Sequence, residues 1–475
     1  MGTIDIDPYL KTLPENATAH TSLTGQCLLP LFIMAAFFLT STPGCGDGGN
    51  IRGRGGPQDD KQAFEQQRSA AENGDAAAMT KLGSMFAQGR GVPQDDKQAV
   101  HWYTRAAEKD DAGAMTSLGY MHTQGRGVEQ DDEQAVQWYR KAAKIEDAAG
   151  MSNLGVMYAQ GRGIPQDDEQ AVRWWRKAAD KGYASAMFNL GFMYAAGRGV
   201  PQDDKLAIEW WRKAADMGNA EAMTNLGNMY FKGRGVPQND KQAVEWQLMA
   251  AELGNAQAMS NLGNMYFKGN GVPQDDTLAV QWLLKAAQKG DANAMFNLGL
   301  MCADGRGLPQ DDKEAVQWWR KAAERGNTEA ILKLGNMYVQ GRGVPQDDKQ
   351  VVEWLRKAAE KGDPEAMTKI GYMYAQGHGV PQDDRQAVQW YRKAAEKGHA
   401  EAMLHLGKMY AKGRGVAKDD KEAYAWLIVA AARGSKLAGD EGFSHRKNLT
   451  PEQVADAQRL SNDILERINC NAEPK

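Results

Sequence analysis

The sequence repeats itself with a period of 36 residues, and this period constrains the fold more than any other feature. A proline after a Gly-Val or a close variant of it recurs nine times at this spacing, and Glu129 and Ala417 occupy two further slots of the same series. No copy gains or loses a residue. A fixed period in this range is typical of stacked supersecondary units that bury their apolar faces only against their neighbours. The nine prolines are Pro57, Pro93, Pro165, Pro201, Pro237, Pro273, Pro309, Pro345 and Pro381.

Each period predicts two helices, which we name helix A and helix B. Helix A is expected to follow a slot that holds Asp or Asn in eight of ten copies, because these side chains accept hydrogen bonds from the free N–H groups of a first turn. Its apolar stripe is Met223, Leu226, Gly227 and Tyr230 in one copy, and it is expected to end at a glycine such as Gly233. The following Gly-Arg-Gly-Val-Pro is interpreted as turn chemistry. The cap residues are Asp75, Asp111, Asp147, Asn219, Asn255, Asp291, Asn327 and Asp363.

Helix B is expected to begin at an Asp, or at Asn239 in one copy, with Gln or Glu three residues later in nine of eleven copies. This spacing predicts a reciprocal capping box. Doublets such as Asp95-Asp96 are therefore interpreted as caps and not as calcium ligands, since the EF-hand spacing is absent. The apolar stripe of this helix includes Ala243, Trp246 and Ala250.

A glycine recurs inside helix A, in the sequence Leu-Gly-x-Met-Tyr, although glycine in a helix interior costs about 1 kcal/mol. We expect a close helix–helix approach to offset that cost. The Ala-Ala pair late in helix B, first seen as Ala106-Ala107, is expected to form the opposing surface. The tryptophan row from Trp102 to Trp426 is expected to fill the space between hairpins. Together these features predict an all-α array of helical hairpins.

The pattern x-LG-x-MY-x-x-G-x-GV-x-QD, followed by A-x-x-W-x-x-KAA-x-x-G, is similar to the Sel1-like repeat, a relative of the tetratricopeptide repeat. The resemblance covers about residues 51–434. It implies a right-handed α-solenoid, or superhelix, of helical hairpins that acts as a scaffold or adaptor for a protein or peptide partner. Residues 1–50 are then a targeting segment with a flexible tether. Residues 435–475 form a helical cap and tail, whose last helix is expected to start at Thr450-Pro451.

Composition and motifs argue against several other functions. The formal net charge is −4, so there is no basic excess for nucleic acid. The cysteines Cys27, Cys45, Cys302 and Cys470 form no CxxC pair, and the histidines form no HExxH arrangement, so we expect no metal and no cofactor. Residues 444–447 spell SxxK, but the SDN and KTG companions of a β-lactamase are missing. We therefore predict that the chain is not an enzyme, with an envelope hydrolase or a non-binding spacer as the alternatives.

One apolar run, Leu28 to Leu39, is too short to span a bilayer and has the length of a signal-peptide core. The residues Thr42-Pro43-Gly44-Cys45 resemble a bacterial lipobox, although Thr42 stands where an aliphatic residue is usual. We predict export to the periplasm or cell envelope, with Cys45 as the lipidation site and membrane tether. The alternative is a cytoplasmic protein with a vestigial segment or a start codon assigned too early.

Three slots of helix A differ between copies, at i, i+3 and i+7, and a slot without a packing role is available to a partner. If helix A lines the concave side, these slots form an asparagine-rich trough with aromatic insertions. Amide side chains satisfy both donors and acceptors of a peptide backbone, so the slots predict a peptide-binding groove. The alternative is a solvated helix face. The candidate binding residues are Asn153, Asn189, Asn225, Asn228, Asn261, Asn264, Asn297, Asn336, Tyr120, Tyr372, Lys232 and Lys268.

Overall fold

The computed structural model describes residues 57–472, and within that range every regular element is a helix. The predicted all-α array of helical hairpins is confirmed. The B helices are α1 Pro57–Glu72, α3 Asp96–Ala107, α5 Asp132–Lys144, α7 Asp168–Asp180, α9 Asp204–Asp216, α11 Asp240–Glu252, α13 Asp276–Gln288, α15 Asp312–Glu324, α17 Asp348–Glu360, α19 Asp384–Glu396 and α21 Asp420–Ala432. The A helices are α2 Ala76–Gln88, α4 Ala112–Gln124, α6 Ala148–Gln160, α8 Ala184–Ala196, α10 Ala220–Lys232, α12 Ala256–Lys268, α14 Ala292–Asp304, α16 Thr328–Gln340, α18 Pro364–Gln376 and α20 Ala400–Lys412. Two further helices follow, α22 Lys436–Arg446 and α23 Pro451–Ala472.

The chain divides into two compact units. The first runs to Ala258 and includes Gly269–Pro273, and the second contains Met259–Lys268 and the chain from Gln274 onward. In both units each A helix packs against the B helix that follows it, so the hairpin is the common building block. The predicted division at residues 50 and 434 stays a prediction. The apolar run Leu28 to Leu39, the tether and Cys45 lie outside the described residues. None of the helices within 57–472 is both long enough and apolar enough to cross a bilayer.

The caps of helix A are as the sequence predicts. Asp75 Oδ1 accepts a hydrogen bond of 2.9 Å from the backbone N–H of Ala78, and the same bond recurs at the other Asp and Asn caps. Tyr183 and His399, which hold the slot in the other two copies, make no such bond. Helix A then ends at a glycine with φ between 63° and 75°, a left-handed conformation that glycine adopts without a steric cost.

The capping box predicted for helix B is wrong in its second half. Asp95 Oδ1 does accept from the Gln98 N–H at 3.0 Å. The N–H of Asp95, however, donates to the backbone oxygen of Phe86 at the end of the preceding A helix, 3.0 Å away. The backbone N–H of Asp95, which a capping box would bond to Gln98, is therefore used to join helix B to the preceding helix A. A full reciprocal box forms instead at the start of α23, where Thr450 and Gln453 exchange bonds of 2.9 and 3.3 Å.

The glycine inside helix A lets the two helices of one hairpin approach closely. A Cβ placed on Gly191 would lie 2.5 Å from the ring of Trp211, and one on Gly119 would lie 2.4 Å from the ring of Tyr139. The close approach is confirmed, but the prediction that the Ala-Ala pair opposes the glycine is wrong. The opposing group is the side chain 20 residues later, directly after the periodic tryptophan, because that position points into the hairpin.

The periodic tryptophans are buried or half-buried, with Trp102, Trp318, Trp354 and Trp426 among the buried ones, and their predicted role between hairpins stays a prediction. Trp175, which follows one of them, is fully buried, whereas its periodic neighbour Trp174 is only half-buried. The ammonium group of Lys177 lies 4.4 Å from the centre of the Trp174 ring. Six other copies repeat this Lys-over-Trp contact three residues apart. The lysines thus cover the outer edge of the row through cation–π attraction.

An arginine–aspartate clamp joins consecutive hairpins, and the sequence analysis missed it. The Arg126 guanidinium, in the loop after α4, donates to both carboxylate oxygens of Asp96 in the preceding hairpin, at 2.5 and 3.0 Å, and to the Ala87 carbonyl at 2.7 Å. The loop arginine is therefore more than turn chemistry, and the second residue of the Asp doublet is a clamp residue in eight copies. The clamp pairs are Arg90–Asp60, Arg126–Asp96, Arg162–Asp132, Arg198–Asp168, Arg234–Asp204, Arg306–Asp276, Arg342–Asp312 and Arg414–Asp384.

Two copies change the clamp. His378 replaces the arginine opposite Asp348, with Nδ1 3.5 Å from Oδ2. In the other copy Asn270 replaces the arginine. Its loop still lies against Asp240, since a Cβ on the adjacent Gly271 would be 2.3 Å from the Asp240 carbonyl oxygen. Asp240 thus has the usual place in the fold without the usual guanidinium partner.

Replacing Gly191 by alanine should destabilise the protein, because the ring of Trp211 must shift; we expect a loss of about 1–3 kcal/mol. Gly335→Ala is the matched control, since its Cβ would have no neighbour closer than 3.9 Å. There the better helix propensity of alanine should add up to about 1 kcal/mol. Chemical denaturation of both variants measures the two changes. Effects of the same sign would contradict the glycine–ring account.

Asp96→Asn should remove about 1–3 kcal/mol at neutral pH, the scale of hydrogen bonds to a charged group. The hydrogen bond from Arg126 holds the pKa of Asp96 below its ordinary 3.8 in the folded state. A depressed folded pKa gives stability that is complete above the unfolded pKa and lost as pH falls through the folded one. Denaturation curves of wild type and variant should therefore differ by a constant amount from pH 8 to 5 and converge below about pH 4.

The missing arginine at position 270 allows the opposite experiment, in which a clamp is added. Asn270→Arg should supply Asp240 with the missing clamp and raise the denaturation midpoint. No gain, together with no loss in Asp96→Asn, would show that the clamp contributes nothing to stability.

Candidate partner-binding face

The candidate residues lie on helix A outside the apolar stripe that packs against helix B of the same hairpin, although Asn228 also contacts helix B through Gln247. We call this side of helix A the A-helix face and define it by the slots six, nine and thirteen residues after the helix cap, the first, second and third rows. With about 100° between successive residues these slots lie opposite the stripe that packs on helix B. Asn336, Tyr372, Lys232 and Lys268 are exposed, and Tyr372 retains 47% of its accessible surface. The half-buried candidates are Asn153, Asn189, Asn225, Asn228, Asn261, Asn264, Asn297 and Tyr120.

In the second unit, the first row of one A helix touches the second row of the preceding one. Asn297 Nδ2 donates to Asn264 Oδ1 at 2.7 Å. The same pair of slots is bridged further along by Lys408 and Glu441, whose charged atoms are 2.7 Å apart. The first and second rows are therefore in contact at these two places of the second unit.

In the first unit, a buried glutamine of helix B holds one of the candidate amides. Gln247 is 2% exposed and occupies the slot that Trp211 fills in the preceding hairpin. Its Nε2 donates to Asn228 Oδ1 and to the Thr224 carbonyl, both at 3.1 Å, while its Oε1 accepts no hydrogen bond from the part of the chain that the structure describes. Gln247 is not among the predicted residues, although a glutamine is a visible signal in a slot that aromatic or leucine side chains fill in the nine other hairpins.

Two candidate tyrosines of the second row lie beside the clamp. Tyr120 is adjacent to the guanidinium of Arg126 and contributes to the raised pKa of that group, which is due first to Asp96. Tyr372 stacks on His378, the histidine in the arginine slot, with ring centres 6.3 Å apart. The tyrosines thus place aromatic surface between the A-helix face and the loop that joins neighbouring hairpins.

The described residues offer little for catalysis. Within 57–472 no three His, Cys, Asp or Glu side chains come together as a metal site. Burial raises the pKa of the Cys302 thiol to about 12, which keeps it protonated and unreactive. Ser444 of the SxxK sequence lines a cleft of about 220 Å³ with Lys408, Glu441 and His445. The ammonium of Lys447, which would have to activate that serine, lies instead over the ring of Phe443, 5.0 Å from its centre.

The model of the Sel1 repeat matches the chain eleven times, with the matches in step with the hairpins. The chain belongs to the Sel1 repeat family. The matched residues are 49–75, 76–111, 112–147, 148–183, 184–219, 220–255, 256–291, 292–327, 328–363, 364–399 and 400–435. The first match is shorter than the others and ends just before α2, so it contains the B helix α1 of this Sel1-repeat protein.

Two solved structures of Sel1-repeat proteins are similar to this one. One is a protective antigen present in uropathogenic Escherichia coli strains and displaying an SLR fold; it is 35% identical, with a TM-score of 0.51, over 86% of this chain and 96% of its own. The other is a Sel1 repeat protein from Oxalobacter formigenes, 32% identical with a TM-score of 0.50, over 68% of this chain and 95% of its own. A comparison with curated protein sequences returns no match.

Membership of the family supports a binding function for this fold. Sel1-repeat proteins are generally protein-interaction scaffolds, and the repeats typically mediate protein–protein binding without catalysing a reaction. This family role is consistent with a protein partner for this chain.

Gln247→Leu should stabilise the protein by about 1–2 kcal/mol, because it removes a buried oxygen that has no hydrogen-bond partner. Leucine fits this slot, as Leu283, Leu355 and Leu427 show in other copies. Thermal and chemical denaturation measure the gain. Gln247→Ala serves as the comparison, since it removes the same oxygen but leaves a cavity and should destabilise. A loss of stability in the leucine variant would mean that the bonds to Asn228 and Thr224 outweigh the unpaired oxygen.

Proposed function

We propose that this Sel1-repeat protein is a scaffold of the bacterial cell envelope that binds an extended segment of a partner protein along its A-helix face. The observation that supports this most directly is the bond between Asn297 and Asn264, because it joins amide side chains of two successive A helices at the surface. Such a pair holds its side chains in place before any ligand arrives. Less side-chain freedom is then lost on binding.

The chemistry of the rows suits a peptide backbone. In a bonded amide pair, one donor of Asn297 and one acceptor site of Asn264 are used, and each side chain keeps further hydrogen-bonding capacity. Packed helices lie about 8–10 Å apart, and an extended chain advances about 3.3 Å per residue. Every third residue of an extended peptide would therefore meet the next A helix. Tyr372 supplies apolar surface for side chains between these points.

The envelope location is supported by the sequence and by one relative. Residues 28–39 have the length of a signal-peptide core, and Cys45 follows small residues as in a lipobox. The Escherichia coli relative is a protective antigen present in uropathogenic strains.

Site-specific photo-crosslinking in bacterial cells that produce the full chain tests the binding face. A photoreactive residue at Asn336 or at Tyr372 should capture a peptide segment of one and the same partner, identified by mass spectrometry. Gln317 and Gln389 are the control positions, because they are exposed on the B helices α15 and α19. Capture only from the control positions would mean that the partner binds helix B, and it would contradict the proposal.

The role of the amides is tested with the partner segment that crosslinking identifies. Replacing Asn264, Asn297 and Asn336 together by alanine should weaken its binding at least about tenfold, since each hydrogen bond is worth about 0.5–1.5 kcal/mol. The triple variant Gln317, Gln350 and Gln389 to alanine removes three amides from B helices and should bind like wild type. Equal affinities of wild type and the asparagine variant would refute the proposal.

Metabolic labelling with a palmitate analogue tests the tether separately. Wild-type protein should take up the label and sediment with membranes, and Cys45→Ala should lose both properties. An unlabelled wild-type protein in the soluble fraction would remove the envelope from the proposal and leave the binding face unaffected.

A further inference from the structure

Helix α11 departs from the other B helices on its outer side. Where α7, α9 and α15 carry Trp-Trp-Arg-Lys, α11 carries Trp246, Gln247, Leu248 and Met249. The side chains of Leu248, Met249 and Leu253 are 37%, 44% and 56% exposed. We infer that this outer side of α11, together with Met217, docks a basic amphipathic helix of a partner protein. The inference does not depend on the A-helix face.

The exposed side chains form a stripe with helical spacing. Trp246, Met249 and Leu253 follow each other at i, i+3 and i+7, which places them along one side of α11. Met217, 52% exposed, holds the slot of Leu253 in the preceding hairpin and extends the apolar surface toward α9. We call these four residues the α11 patch. Trp246 is half-buried. On the neighbouring helix α9, Lys213 lies over the ring of Trp210, and in α11 the position equivalent to Lys213 holds Met249.

Charge selects the kind of partner. The exposed carboxylates Glu245 and Glu252 flank the α11 patch, and among residues 57–472 no cation pairs with either of them. On the neighbouring helix α9, Arg212 donates to the Tyr230 hydroxyl and Lys213 lies 4.3 Å from the centre of the Trp210 ring. An apolar stripe with an acidic edge is complementary to a helix that carries leucine-type residues on one side and lysine or arginine beside them.

The flexible side chains of Met217 and Met249 suit such a partner. The unbranched side chain of methionine adapts to apolar surfaces of different shapes, so these residues can pack against the apolar side of a helix without requiring one exact shape. Six other B helices, α5, α7, α9, α15, α17 and α19, cannot bind in the same way, because their Arg-Lys pair would meet the basic residues of the incoming helix. The outer side of α11 therefore differs from that of most B helices in the array.

Fluorescence anisotropy of labelled synthetic peptides on the full chain tests the inference. Three 18-residue probes are compared: an amphipathic leucine–lysine helix, its leucine–glutamate counterpart, and a scrambled leucine–lysine sequence. We expect binding of the first probe only, with affinity falling as salt is raised. The key variant is Leu248→Arg with Met249→Lys, which restores the residues found in six other B helices and so preserves the fold. It should weaken binding of the basic probe at least tenfold.

Further variants separate the possible reasons for binding. Glu245→Lys with Glu252→Lys should weaken the basic probe and remove its salt dependence, while the A-helix variant of Asn264, Asn297 and Asn336 should leave it unchanged. Unchanged binding in the Leu248→Arg, Met249→Lys variant would overturn the inference. So would light scattering that shows a wild-type dimer and a monomeric variant, because the α11 patch would then be covered by a second copy of the chain.

Discussion

The fold depends on the absence of a side chain at one position of helix A. At Gly191 and five of its equivalents the ring of the facing B helix occupies the space that a Cβ would need, so the backbone of helix A packs directly against that ring. This approach buries the Leu and Met stripe of helix A, and the cost of a helical glycine is offset by aromatic surface removed from water. Each hairpin then presents a second apolar side to its neighbour, where the Arg126–Asp96 clamp and its equivalents fix the register.

Neither of these two contacts uses the outer faces of the two helices. Packing uses the glycine side of helix A and the inner side of helix B, and the clamp uses the loops. The A-helix face and the lysine-covered outer side of helix B can then change from copy to copy without changing the hairpin. An array of this kind keeps its structure while its surface diversifies, which is the physical basis of its use as a scaffold.

The period, the two helices and their caps follow from local chemistry, so they are readable in the sequence. Asp75 caps helix A and Gly89 ends it because of interactions with residues nearby in the chain. The clamp joins residues 30 positions apart in sequence, and Arg126 offers no local sign of its partner Asp96. For the same reason the ring facing each glycine was missed, since two neighbouring aromatic residues such as Trp174 and Trp175 look alike until one of them is buried. The rows of the A-helix face were predictable as variable slots, whereas the support of Asn228 by Gln247 depends on the packing of a second helix.

The hairpin of α10 and α11 departs from the array at several slots at once. Gln247 replaces an aromatic ring, Leu248 and Met249 replace the Arg-Lys pair, and Asn270 leaves Asp240 without its clamp. Each change forgoes an interaction that stabilises the other hairpins, and the buried oxygen of Gln247 adds a cost of its own. In a repeat array the residues that pack better are present in neighbouring copies. Chance substitution can explain the loss of a stabilising residue at one slot, but it does not readily explain such losses at four slots of the same region. Substitutions that reduce stability are expected to occur together where a surface has a function other than stability. In this hairpin the substituted positions hold an amide side chain at the A-helix face and form an apolar stripe on the outer side of α11.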